Sequence, residues 1–124
     1  MKENGFYADL PHGRLDISGD QEHGFRPFQL LVAAISVCTG GVLRKVMGKM
    51  RMDISDIQIE TKEDRNPDMA NRIEKIHLHL TITGQNLTEE KINKALVVAR
   101  KNCPMVQSVI GSIEVEETFE FRNE

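Results

Sequence analysis

Several features that announce common functions are missing from this 124-residue chain. Sixteen basic residues against nineteen acidic ones give a net charge of -3, so there is no basic excess to attract nucleic acid. No basic amphipathic segment offers itself to a membrane surface. The opening "MKENGFYADL" carries charges but no apolar run and does not read as a signal peptide. The longest apolar stretch, around Leu30 to Val37, is too short to cross a bilayer. Neither a repeat nor a low-complexity tract nor a linker interrupts residues 1–124, which are expected to form one domain with its own core. Only two cysteines occur, Cys38 and Cys103. Their separation excludes both a thioredoxin-type CxxC site and zinc-finger spacing. Without a secretory signal, such a pair points to a reducing compartment, the cytoplasm, where thiols are more often reactive than structural. The sequence calls for no cofactor and no metal.

What is present reads as a short series of elements. "GFYADL" and "RLDIS" flank "PHG", where Pro11 and Gly13 supply turn chemistry, predicting a β-hairpin. Residues 19–26 form a polar loop, and Pro27 starts a helix expected to reach about Met50. Leu31, Ala34, Ile35, Cys38 and Val42 are read as its buried stripe. Gly40 and Gly41 either kink it or admit another backbone. The scarcity of charge from Pro27 to Leu43 predicts burial on nearly all sides, as under a partner subunit. "DISDIQIETK" is a strand whose phase slips between Ile54 and Ile57, suggesting a bulge. "EDRNPDMANR" reads as a turn. "KIHLHLTIT" alternates, with Ile76, Leu78, Leu80 and Ile82 inward and His77, His79, Thr81 and Thr83 outward. Thr88 caps a second helix whose buried stripe is Ile92, Ala95, Leu96 and Ala99, with Cys103 on the same face. A last strand turns Ile113, Val115, Phe119 and Phe121 inward and Glu114, Glu116 and Glu120 outward. The order β-β-α-β-β-α-β is α+β, with antiparallel strands and two main helices on one side.

Cys103 precedes Pro104 and a short helix, where unpaired N–H groups and the positive helix end favour thiolate; Arg100 and Lys101 add to this. Cys38 lies mid-helix, where burial raises a thiol pKa. Either residue can equally be core filler. Both nevertheless fall on the core-facing sides of the two helices, so that helix packing alone brings them together. A disulfide is open to them if their Cα atoms come within about 7 Å.

Two stretches carry a family resemblance that covers most of the chain. "RPFQLLVAAISVCTGGVL" resembles the first-helix motif of the OsmC/Ohr superfamily, the osmotically inducible protein C and organic hydroperoxide resistance proteins. It has the proline, the Gln-Leu, the alanine pair and a cysteine eleven residues after the proline. "NCPMVQSVIGSIEV" resembles the second motif, Cys-Pro followed by a short helix and a final strand. The resemblance implies an OsmC-like fold, an intertwined homodimer and a thiol-dependent peroxidase. Its substrates would be a small-molecule hydroperoxide and a thiol reductant. It further implies that Cys38 attacks the peroxide and that Cys103 resolves the resulting sulfenic acid as a disulfide. This reverses the order of reactivity argued from position alone. Hydroperoxide-resistance members carry a glutamate directly after the helix-starting proline, where it holds an arginine against the reactive cysteine. Here that position is Phe28, followed by Gln29, and Arg26 and Arg14 are the nearby stand-ins for the arginine.

His77 and His79 share a strand face at a spacing that can hold a metal, but no third ligand is evident, and plain exposure is the expectation. His12 and His23 lie in turns. Phe25 and Phe28 flank the helix start and either line an apolar pocket beside Cys38 or pack a dimer interface. Beside the peroxidase reading stand two others: a binding module for a small apolar or thiol ligand, and a scaffolding dimer with inert cysteines.

Overall fold

The computed structural model describes residues 1–124. The backbone falls into two compact units, Met1–Ala33 and Ala34–Glu124.

In the first unit, β1 (Phe6–Leu10) pairs antiparallel with β2 (Gly13–Ile17), leaving Pro11 and His12 as a two-residue turn. The hairpin expected from "PHG" is therefore present. Lys2 and Arg14 bracket the Asp16 carboxylate at 2.8 and 3.1 Å. The hydrogen bond from Lys2 is the main reason this carboxyl sits below its ordinary range. The polar loop doubles back on β2: the Phe25 N–H donates to the Asp16 carbonyl at 2.9 Å. A Cβ on Gly24 would come within 2.8 Å of that same carbonyl, so only glycine permits the approach.

Helix α1 spans Pro27–Lys49. It is long and apolar enough to pass for a membrane span by length and composition, although the apolar stretch read from sequence looked too short. Core helices pass the same test, and Ile35, Leu43 and Met47 are fully buried. The buried stripe is Val32, Ile35, Ser36, Thr39, Leu43 and Met47. It is rotated from the predicted one, and Leu31 and Ala34 are exposed. A helix apolar on almost every side gives its period no contrast, which is why the face was misplaced. The two glycines do not break it. Gly40 lets Ile59 of the next strand approach, since a Cβ there would lie 2.9 Å from Ile59 Cδ1. Arg51, at φ 58°, ends the helix in a left-handed turn, with the Met52 N–H bonded to the Met47 carbonyl at 2.9 Å.

The second sheet has the order β3 (Asp53–Asn66), β4 (Arg72–Gln85), β5 (Glu114–Asn123). β3 and β4 are antiparallel, with the expected slip between Ile54 and Asp56 and another at Asp64/Arg65. β3 runs well into the segment read as a polar turn, and β4 begins at its last residue, Arg72. Only Pro67–Met69 and the left-handed Ala70 and Asn71 actually turn the chain. Paired backbone needs no apolar side chains, so the charged ends of this hairpin disguised its length. β4 and β5 pair in parallel, where antiparallel strands throughout were expected; the sheet is mixed. The connection explains it. A parallel return needs a long crossover, and α2 (Glu89–Asn102) and α3 (Pro104–Val109) provide it. Ile76, Leu78, Leu80 and Ile82 of β4 are buried together with Ile92, Ala95, Leu96 and Ala99 of α2. Each buried isoleucine or leucine among these contributes roughly 1.5–3 kcal/mol on burial.

Candidate active site

Pro104 shapes the site. It has no N–H to continue α2, and it disfavours helical geometry in the residue before it. Cys103 accordingly breaks the helix with φ -86° and ψ 108°, ending α2 and opening α3. Its thiol points inward, wholly buried, with its sulfur 3.8 Å from Thr39 Oγ1 of α1. Cys38, one residue before Thr39, is half-buried. The Cys103 thiol lies near enough to act on the ionisation of Cys38, and both are free. The structure thus brings together the two candidate cysteines.

The rise expected for the Cys38 thiol from burial is present, but the α3 donor expected to serve Cys103 acts on Cys38 instead. Cys103 makes no capping bond to α3. The Met105 N–H instead donates to the Cys38 sulfur, so the first free donor of α3 serves the other thiol. Burial pushes the Cys38 thiol above its ordinary value. The Met105 N–H opposes this, and the neighbouring Cys103 adds to the rise through its hydrogen bond and its charge. Arg100 is turned elsewhere: its Nη1 donates to the Val115 carbonyl at 2.7 Å.

In the Met1–Ala33 unit, the Arg26 guanidinium lies over the Phe28 ring at 4.8 Å. The Gln29 side chain accepts from the Arg26 backbone N–H at 3.3 Å. These three residues form one cluster, in which the buried Arg26 Nε has no hydrogen-bond partner. Phe28 thus holds Arg26 by its ring face. Arg14 is committed to Asp16 and to the Tyr7 ring at 4.1 Å. Phe25 is exposed.

On the outer face of the second sheet, His77 Nε2 lies 3.1 Å from Asp64. His79 Nδ1 lies 2.8 Å from the Thr118 hydroxyl. The two rings are engaged by different strands. Glu116 pairs with Lys75 at 2.8 Å, consistent with the solvated acidic face read from sequence. Glu117 escaped notice altogether. Its side chain is only 8% exposed. The signal for it was the period of two itself: position 117 falls between the inward residues Val115 and Phe119. A groove of about 430 Å³ also runs between α1 and β3, lined by Val37, Gly40, Gly41, Arg44 and Ile57 among others.

Known proteins share this architecture. An Aquifex aeolicus protein of solved structure superposes with a TM-score of 0.88 at 21% identity, covering 100% of this chain and 92% of that one. An organic hydroperoxide resistance protein from Legionella pneumophila gives 0.78 at 18% identity, covering 97% and 92%. In sequence, Protein YhfA of Escherichia coli is 21% identical over 104 residues, 83% of this chain and 76% of the relative. The family model for OsmC-like proteins matches residues 19–118, a span that contains both cysteines. The chain belongs to the OsmC-like protein family.

Proposed function

We propose that this protein is a thiol-dependent peroxidase that reduces organic hydroperoxides, with Cys38 as the attacking thiol and Cys103 as the resolving one. Family membership supports a redox or peroxide-related role. The observation that carries the finer reading is the proximity of two free thiols, one of which receives the Met105 N–H. The Cys38 thiolate attacks the outer peroxide oxygen, the O–O bond breaks, and an alkoxide leaves and is protonated to an alcohol. The Cys103 sulfur then attacks the Cys38 sulfur of the sulfenic acid, forming the S–S bond as the S–O bond breaks and the hydroxyl leaves with the thiol proton as water. A thiol reductant supplies the two electrons that reopen it.

Cys38 is the better first nucleophile because it is half-exposed while Cys103 is sealed. Its thiolate needs a cation, because burial acts against ionisation. Arg26 is the arginine proposed for that role on the resemblance, and Arg14, already paired with Asp16, is the weaker candidate. The protein works as a cytoplasmic homodimer. α1 supports this, for it is strongly apolar yet only a third of its most apolar stretch is buried, and Val37 is 70% exposed.

A binding module with inert thiols is the second reading, favoured by the raised Cys38 thiol and by Phe28 in place of the glutamate. Thiol titration before and after one equivalent of cumene hydroperoxide decides between them. Loss of both thiols into a Cys38–Cys103 link supports the peroxidase. Persistent thiols leave the binding module.

A further inference from the structure

Two charged residues near Cys103 have no part in the reaction above. Arg100 lies in the last turn of α2, three residues before the thiol. Its side chain donates to the Val115 carbonyl on β5 at 2.7 Å. Its own carbonyl accepts from the Cys103 N–H at 3.5 Å and from Gln107 Nε2 at 3.0 Å. One residue therefore ties the end of α2, the Cys103 corner, α3 and β5 together. Glu117 stands two residues beyond Val115, paired across to Leu78 of β4. Its Oε1 is 3.8 Å from Arg100 Nη1, too long for a hydrogen bond, and its buried Oε2 has no partner. A carboxylate in such a place is costly packing unless its charge is used. Arg100 is the charged group acting on it; its strand neighbours Val115 and Phe119 and its cross-strand partner Leu78 do not titrate.

We propose that Arg100 is the positioning residue of the resolving thiol and that Glu117, by gaining or losing its charge, adjusts how firmly Arg100 holds the Cys103 corner. With Glu117 neutral, Arg100 is held by the Val115 carbonyl. With Glu117 ionised, the guanidinium gains a second, charged partner. The corner is then fixed more tightly against β5 and the Cys103 sulfur stays against Cys38. The inference rests on the assignment of Cys103 as resolving thiol, not on any reaction with peroxide.

The test is the equilibrium between the protein dithiol and glutathione disulfide, in which two protein thiols become one disulfide and two glutathione thiols are released. It is followed from pH 4 to pH 8 in wild type, Arg100→Gln, Arg100→Lys and Glu117→Gln. Arg100→Gln is expected to lower the equilibrium constant for closure by about tenfold, the scale of one lost positioning bond. Arg100→Lys, which keeps a charged donor, recovers most of it. In wild type, closure strengthens as pH rises through the Glu117 titration, and Glu117→Gln flattens that rise. If Arg100→Gln fails to fold, Arg100→Lys and Glu117→Gln carry the same comparison. Variants that match wild type at every pH overturn the proposal. A pair that closes with glutathione disulfide yet ignores hydroperoxide refutes the peroxidase reading alone. A pair that never closes overturns both.

Discussion

At the scale of the residue, Cys38 is governed by three contributions: burial, one backbone N–H and one neighbouring thiol. Each can be removed singly. Met105→Pro deletes the N–H while leaving a residue compatible with the first turn of α3. A hydrogen bond to a charged group is worth about 1.5–3 kcal/mol. Alkylation of Cys38 by iodoacetamide, measured in a Cys103→Ser background, should therefore slow by roughly tenfold or more near neutral pH. The same rate should keep climbing through pH 9, the thiol's ordinary value, because the folded protein holds it higher. A plateau below pH 8 would contradict that. Both cysteines were legible as candidates from their motifs. Which of them α3 serves was not, because sequence fixes a helix start but not which sulfur its N–H meets.

Glu117 gives a second prediction at this scale. Burial holds its carboxyl above the ordinary glutamate value of 4.5, so the folded state favours the neutral form. Its ionisation then costs stability progressively as pH rises from 4.5 through the folded value. Glu117→Gln should raise Tm at pH 7.5, by about 1 kcal/mol of stability, and the advantage should vanish at pH 4. An equal effect at both pH values would show that the cost is steric rather than ionic. This residue was readable in principle. Only the habit of assigning glutamates outward hid it in a strand whose other glutamates, Glu114, Glu116 and Glu120, stand on the outer face.

Elements were read with uneven success, and the failures share a cause. The hairpin, the α2 cap at Thr88, the inward face of β4 and the Cys-Pro break each rest on local chemistry, and each is in the structure. The α1 face and the lengths of β3 and β4 depend on partners distant in sequence. So does the parallel pairing of β4 with β5, which follows from a crossover whose path no local pattern states. Gly84 illustrates the point: it sits opposite Ile54 at the β3 slip, and any Cβ there would overlap the Asp53 carbonyl. Gly84→Ala should cost on the order of 2 kcal/mol, read as a lower urea midpoint with unchanged slope. A neutral result would mean that the bulge relaxes freely.

For the whole molecule, the apolar and partly bare α1 sets the main expectation. A second copy should cover Val37 and Gly41, giving a dimer mass by light scattering. Val37→Lys should shift that mass toward the monomer without abolishing the fold. A monomer at high micromolar concentration in the wild type would require another explanation of the exposed helix.

The central claim is that Cys38 and Cys103 act as a redox pair on organic hydroperoxides. It is tested most directly by counting free thiols in reduced protein before and after one equivalent of cumene hydroperoxide, with peptide mapping under non-reducing conditions. Two thiols should be lost rapidly into a single Cys38–Cys103 disulfide. A sulfenic acid should be trapped on Cys38 when Cys103 is serine, with no consumption when Cys38 is serine. Thiols that survive for hours in the wild type would contradict the claim.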